Sequence, residues 1–210
     1  MDHIKTFIKE TYEFDEGTFV IEGPLTSGQL SDMTFDEGLD AFRIPIDQFQ
    51  ALLEIADLPE GRIYVIRKDM HIVGYVTYHY PDPLERWSNG NLPYLIELGA
   101  IELSLPYRHL GLGGELIRLS TSTKEIEDYI IITTEYYWHW DLKNTGLNVF
   151  QYKELMQKLM FKGGLEVFST DDPEITSHSA NCLMARIGKN IDLKQMNAFD
   201  NVRFMNRFFF

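Results

Sequence analysis

Arg108, Gly111, Gly113 and Gly114 fall within the run Leu105-Pro106-Tyr107-Arg108-His109-Leu110-Gly111-Leu112-Gly113-Gly114. Glycines at the opening of a helix strip side chains from its first turn. Free main-chain N–H groups and the positive end of the helix dipole then meet an anion directly. A phosphate suits such a turn, and Arg108 adds a positive charge just ahead of it. The plainer alternative is that the glycines only let a helix and a strand pack closely. Upstream, Glu97 and Glu102 interrupt an otherwise apolar run, where burial would raise a carboxyl pKa towards the range of a useful base. Five positions separate them, so a regular strand puts them on opposite faces. A bulge at Gly99 would bring them onto one. For either glutamate the alternative duty is to pair with a buried Arg or to cap a backbone N–H.

A strand, a turn and a helix must hold these groups. Leu95–Leu105 reads as the strand, ended by Pro106, which cannot donate to a ladder. The helix that follows has Leu112, Leu116, Leu119 and Thr123 on its apolar side. Around this unit the sequence predicts a strand over 17–23 and a helix from Pro45 with Ile46, Phe49, Leu52, Leu53 and Ala56 inward. A hairpin follows from 62–67 and 71–80 about Lys68-Asp69-Met70. Residues 81–91 read as a loop and 128–135 as a buried strand. A helix over 147–161 carries Val149, Tyr152, Leu155, Met156 and Leu159 on one side, with a strand at 165–170 after it. Residues 180–187 read as a short helix stopped by Gly188. A further helix near 192–201 and a closing strand over 203–210 complete the order. Strands with helices between the later ones imply a mixed central β-sheet flanked by helices, an α/β or α+β class.

The chain has 210 residues, 44% of them apolar, enough for one globular domain with a buried core. A net charge of −13 argues against nonspecific nucleic-acid binding, which rests on Lys and Arg meeting phosphates. Cys182 is the only cysteine, which excludes an intrachain disulfide and a cysteine-based zinc site. His178 and Cys182 have the spacing of a metal pair but no third ligand nearby, so no metal is expected. The N-terminus lacks the apolar run of a signal peptide and no long apolar stretch occurs, so the expectation is a cytoplasmic protein without a membrane partner. A dinucleotide fingerprint would need a third glycine where Leu116 stands, leaving Glu135 as its only support.

The element order centred on Arg108-x-x-Gly111-x-Gly113 resembles the GCN5-related N-acetyltransferase (GNAT) superfamily. Its signature of Gln or Arg, two residues, Gly, one residue, then Gly or Ala lies between the fourth strand and the next helix. A narrower set of motifs resembles the AcuA family of acetoin-utilisation proteins: IEGP at 21–24, LPEGRI at 58–63, IVGYVTY at 72–78, YPDPLERW at 80–87, LIELGAIE at 95–102, TTEYYWHWDLK at 133–143 and ANCLMARIGKN at 180–190. The resemblance implies one GNAT-like domain over residues 1–210, with a core of about 17–170 and a family-specific extension over 171–210. It implies an acetyl-CoA-dependent protein lysine acetyltransferase that acetylates and inactivates acetyl-CoA synthetase. The pyrophosphate of acetyl-CoA would rest on the main chain of Arg108, His109, Leu110, Gly111, Leu112, Gly113 and Gly114. Backbone groups at Leu103 and Leu105 would hold the pantetheine arm.

Glu97 stands eleven residues before Arg108, the spacing of the glutamate base in histone-type members, whereas Glu102 lies nearer the turn. At least one of the two is expected to be essential, and Glu102→Gln is expected to remove acetyl transfer while sparing acetyl-CoA binding. Many members carry a tyrosine late in the following helix to protonate the thiolate; here Leu159 and Met160 stand in that vicinity. Tyr136, Tyr137, Tyr152 and His139 remain as substitutes. The aromatic run Tyr136–Trp140, joined by Arg86-Trp87, is expected to form a docking or channel surface. A rival of another class keeps the fold without catalysis, as a CoA-sensing module that clamps the synthetase.

Overall fold

β-branched and aromatic runs separated by glycine, proline and charged turns build nine strands and seven α-helices among the described residues, which are 1–205 in the computed structural model. In chain order these are β1 (Ile8–Phe14), β2 (Gly17–Gly23), α1 (Ser27–Ser31), β3 (Thr34–Phe35), α2 (Pro45–Asp57), β4 (Arg62–Lys68), β5 (His71–His79) and β6 (Leu95–Leu103). After them come α3 (Leu112–Ser120), β7 (Ile130–Glu135), α4 (Leu142–Thr145), α5 (Val149–Phe161), β8 (Glu166–Phe168), α6 (Pro173–Thr176), β9 (Cys182–Ile187) and α7 (Leu193–Arg203). The chain divides into two compact units, and the division falls inside β6 between Glu97 and Leu98.

One unit comprises Asp2–His79 and Leu98–Glu125. In it β1, β2, β4 and β5 pair antiparallel in that order, and β3 adds in parallel to β5. The β4–β5 hairpin forms as its sequence implies, with Asp69 at a positive φ of 52° in the turn. Pro45 does open α2, whose Leu52 and Ala56 pack with Ile63, Val65 and Ile72 of the sheet. Ile46, counted inward by periodicity, is 75% exposed. β1 has no counterpart in the sequence reading. Its inward residues alternate with Lys9, Thr11 and Glu13, and a half-buried strand whose outer face is this polar gives a weak signal. α3 packs against β2, β4 and β5, burying Leu112, Leu116 and Ile117 completely.

The other unit comprises Met1, Tyr80–Glu97 and the chain from Ile126 onward. Here the start of β6 pairs in parallel with β7, Leu95 opposite Ile130 and Glu97 opposite Ile132. β7 pairs antiparallel with β9, and β9 with β8. Residues 182–187, expected to be helical, are therefore a strand. Cys182, Leu183, Met184 and Ala185 are all buried, and a short run apolar on both faces satisfies strand and helix patterns alike until its neighbours decide. In α5 only Met160 is fully buried, and Leu155, expected inward, is 45% exposed. α7 extends through Arg203, which overrides the expected closing strand at its start; the rest of that segment, 206–210, lies outside the described residues. Trp87, Leu95, Ile130, Ile132, Leu183 and Phe199 form the core. Trp87 is thus a core residue and not part of an exposed docking surface, because the 3-10 turn at Arg86–Ser88 tucks its ring inward.

Candidate active site

Between β6 and α3 the chain makes a short 3-10 helix, Leu105–Leu110, and then turns at Gly111 with φ +73°. That left-handed conformation is costly for any residue with a Cβ, although a Cβ at Gly111 would touch nothing within 4 Å. The glycine is there for the turn and not for packing. Gly114 N–H and Glu115 N–H both donate to Gly111 O. The N–H groups of Gly111, Leu112 and Gly113 donate to no protein acceptor among the described residues, and no side chain caps α3. Three consecutive free donors at a helix N-terminus are the groups an anion could accept from.

Arg108 ties this turn back to the strand, its Nε donating to Leu103 O at 2.9 Å. Leu103 is buried, Leu105 is half exposed, and Leu110 is half-buried. His109 is exposed, its Nε2 lying 3.1 Å from a Glu16 carboxylate oxygen. The sequence-named residues Leu103 through Gly114 thus form one continuous strand end, turn and helix start.

Glu102, in the same unit as that turn, is 5% exposed. Both of its oxygens are engaged: Ala41 N–H donates to Oε1 and Tyr75 O–H to Oε2, each at 2.9 Å. Burial raises the carboxyl above its ordinary range, against the pull of those two donors. Neither Ala41 nor Tyr75 could be picked from the sequence, since each is an unremarkable residue brought to Glu102 only by folding. Glu102→Gln turns one of these donors against an NH₂ group. It is expected to lower stability by about 1–3 kcal/mol in urea unfolding, and an unchanged midpoint would exclude this anchoring duty.

Glu97 lies in the other unit, 8% exposed. Thr134 Oγ1 donates to Oε1 at 3.4 Å, and Oε2 has no hydrogen-bond partner among the described residues. Burial, followed by the repulsion of Glu85, pushes this carboxyl up to about 8. Its proton can therefore be taken and given near neutral pH.

Among the tyrosines left as alternatives, Tyr152 stacks on Trp140 at 5.2 Å and Tyr136 on Trp138 at 4.8 Å. Tyr137 packs against His178 at 4.3 Å, and His139 is exposed. Glu135 is buried, with Trp140 Nε1 donating to it at 3.0 Å, so it is not presented to a ribose as the dinucleotide rival requires. It also helps burial to raise the Cys182 thiol to about 11. Among the described residues no group of three His, Cys, Asp or Glu is placed to hold a metal ion, and no helix is long and apolar enough to cross a membrane.

No protein-family model matches the chain. The acetoin utilization protein AcuA of Bacillus licheniformis is 52% identical to it over 210 residues, which is 100% of both chains. A crystal structure of an acetoin utilization protein from Exiguobacterium sibiricum is 51% identical, covers 98% of this chain and 97% of that one, and superposes with a TM-score of 0.95. An acetyltransferase of the GNAT family from Streptococcus pneumoniae covers 81% of this chain and 99% of that one with a TM-score of 0.53. At 12% identity that likeness is one of fold.

Proposed function

The chain belongs to the AcuA family of acetoin utilization proteins, and from that membership we propose that it is a protein lysine N-acetyltransferase acting on acetyl-CoA synthetase. It takes its acetyl group from acetyl-CoA and inactivates the synthetase by acetylating a lysine, in the control of acetoin and acetate use. Residues 1–210 act as one catalytic domain, with the part from 171 onward as a family-specific extension, and the cytoplasm is the setting.

The observation that carries this reading is the row of unpaired N–H groups at Gly111, Leu112 and Gly113. A diphosphate fits it in three ways: it is an anion, it accepts several hydrogen bonds at once, and no side chain bars its approach. Arg108 keeps the turn on the end of β6, and in this reading backbone groups at Leu103 and Leu105 hold the arm beyond the diphosphate. Acetyl-CoA, when bound, supplies a thioester whose carbonyl carbon accepts the amine; this needs no metal.

A lysine ammonium has a pKa of about 10.4 and must lose a proton before it attacks. Glu97 is the base in this reading, because one of its oxygens is unengaged and its raised pKa suits proton transfer near neutrality. Glu102 serves as a positioning residue that fastens the loop carrying Ala41 to β5 and β6.

Purified acetyl-CoA synthetase incubated with this chain and acetyl-CoA is expected to gain an acetyl group on lysine, read by mass spectrometry, and to lose activity in step. Tight binding with no change in mass would overturn the transferase reading and leave the clamp.

A further inference from the structure

A cavity of about 490 Å³ opens in the unit that contains Glu97. Trp87, buried to 2%, and half-buried Tyr136 supply its aromatic lining, and Glu85, Asp172 and Glu174 supply its charge. The acids crowd one another: burial and then the neighbouring Asp82, Glu174 and Asp172 raise the Glu85 carboxyl. Arg86 pairs with Asp171 at 2.7 Å and approaches Asp172 at 3.6 Å. Glu85 and Glu174, both exposed, form no ion pair among the described residues.

Tyr136 directly follows β7, and Thr134 near the end of that strand donates through Oγ1 to Glu97 Oε1. The cavity wall at Tyr136 thus adjoins the strand whose Thr134 reaches a carboxyl that is more than nine-tenths buried and has one oxygen without a partner.

We propose that this cavity receives the side chain of the acceptor lysine, with Glu85 and Glu174 neutralising the ammonium and Tyr136 packing on its methylenes. The inference rests on the acetyltransferase reading and names where that reaction's acceptor binds. A flexible apolar stem with a compact cationic head matches an aromatic cavity with an uncompensated acidic rim. Asp172 is committed elsewhere, accepting from Glu174 N–H and Ile175 N–H as the cap of α6. The attack stays balanced: one ammonium proton ends on Glu97, the C–N bond forms as the C–S bond breaks, and the second proton leaves with the thiol.

The test compares wild type with Glu85→Gln/Glu174→Gln, a pair of exposed, isosteric changes whose folding is checked by thermal melting. With acetyl-CoA synthetase as the acceptor, the double variant is expected to raise the acceptor KM about tenfold and to leave the acetyl-CoA Kd within about twofold. Glu85→Asp/Glu174→Asp, which keeps both charges, is expected to recover most of the loss. An acceptor KM unchanged in the neutral variant, or a loss that appears in the acetyl-CoA Kd, would overturn the cavity assignment. Should wild type bind the synthetase without acetylating it, the transferase reading fails separately. The cavity is then judged on synthetase affinity: about tenfold weaker binding by the neutral variant upholds it, and equal binding overturns it.

Discussion

Replacing Glu97 by Gln is expected to lower kcat for acetyl transfer by about 10²–10⁴-fold while leaving acetyl-CoA affinity within about twofold. Gln fills the same space and can still accept from Thr134, so what disappears is proton transfer and not packing. The pH profile gives a second readout. With a folded-state pKa of about 8, the wild-type rate is expected to climb roughly tenfold per pH unit below that value and to level above it. Stability moves the other way. Glu97 is raised from an ordinary value of 4.5, so between 4.5 and about 8 the folded chain keeps a proton that the unfolded chain has lost. Stability from this group is present below 4.5 and declines as pH rises through about 8, at up to about 1.4 kcal/mol per unit. Urea unfolding should show the Gln variant gaining on wild type as pH increases across that window. A variant that keeps full activity, or one whose stability tracks wild type at every pH, would remove Glu97 from the role of base.

Gly113→Asp is expected to separate coenzyme binding from folding. Gly113 is the second residue of α3, where the N–H groups have no partner among the described residues. A carboxylate there favours the helix by about 0.3–1 kcal/mol through the dipole and also removes a flexible glycine from its first turn. The same carboxylate occupies or repels what the amides would otherwise bind. Each hydrogen bond to a charged partner contributes about 1.5–3 kcal/mol, so losing one or two should weaken acetyl-CoA binding about 100-fold by calorimetry. The variant should therefore melt no lower than wild type while binding far more weakly. Unchanged affinity would mean that the diphosphate rests elsewhere.

Much of this was legible in the residues because local chemistry wrote it there. Pro106 and the glycines from Gly111 to Gly114 can do little but end a strand, turn and open a helix, and they do so. The apolar faces of α2 and α3 followed from their periodicity, apart from exposed Ile46. What stayed hidden depends on partners far along the chain. Whether 182–187 was strand or helix turned on β7 and β8 lying on either side of it. Trp87 looked like a surface anchor beside Arg86 until the fold enclosed it. The two glutamates looked alike in sequence, and only their neighbours distinguish them: Tyr75 and Ala41 engage both oxygens of Glu102, whereas Thr134 reaches one oxygen of Glu97. The cavity at Glu85 and Glu174 draws on positions almost ninety residues apart, which no local pattern could have joined.

Crystals grown with CoA test the central claim most directly. Diphosphate oxygens are expected within about 3 Å of the Gly111, Leu112 and Gly113 nitrogens. Density for the diphosphate at any other place, with those three amides untouched, would contradict it.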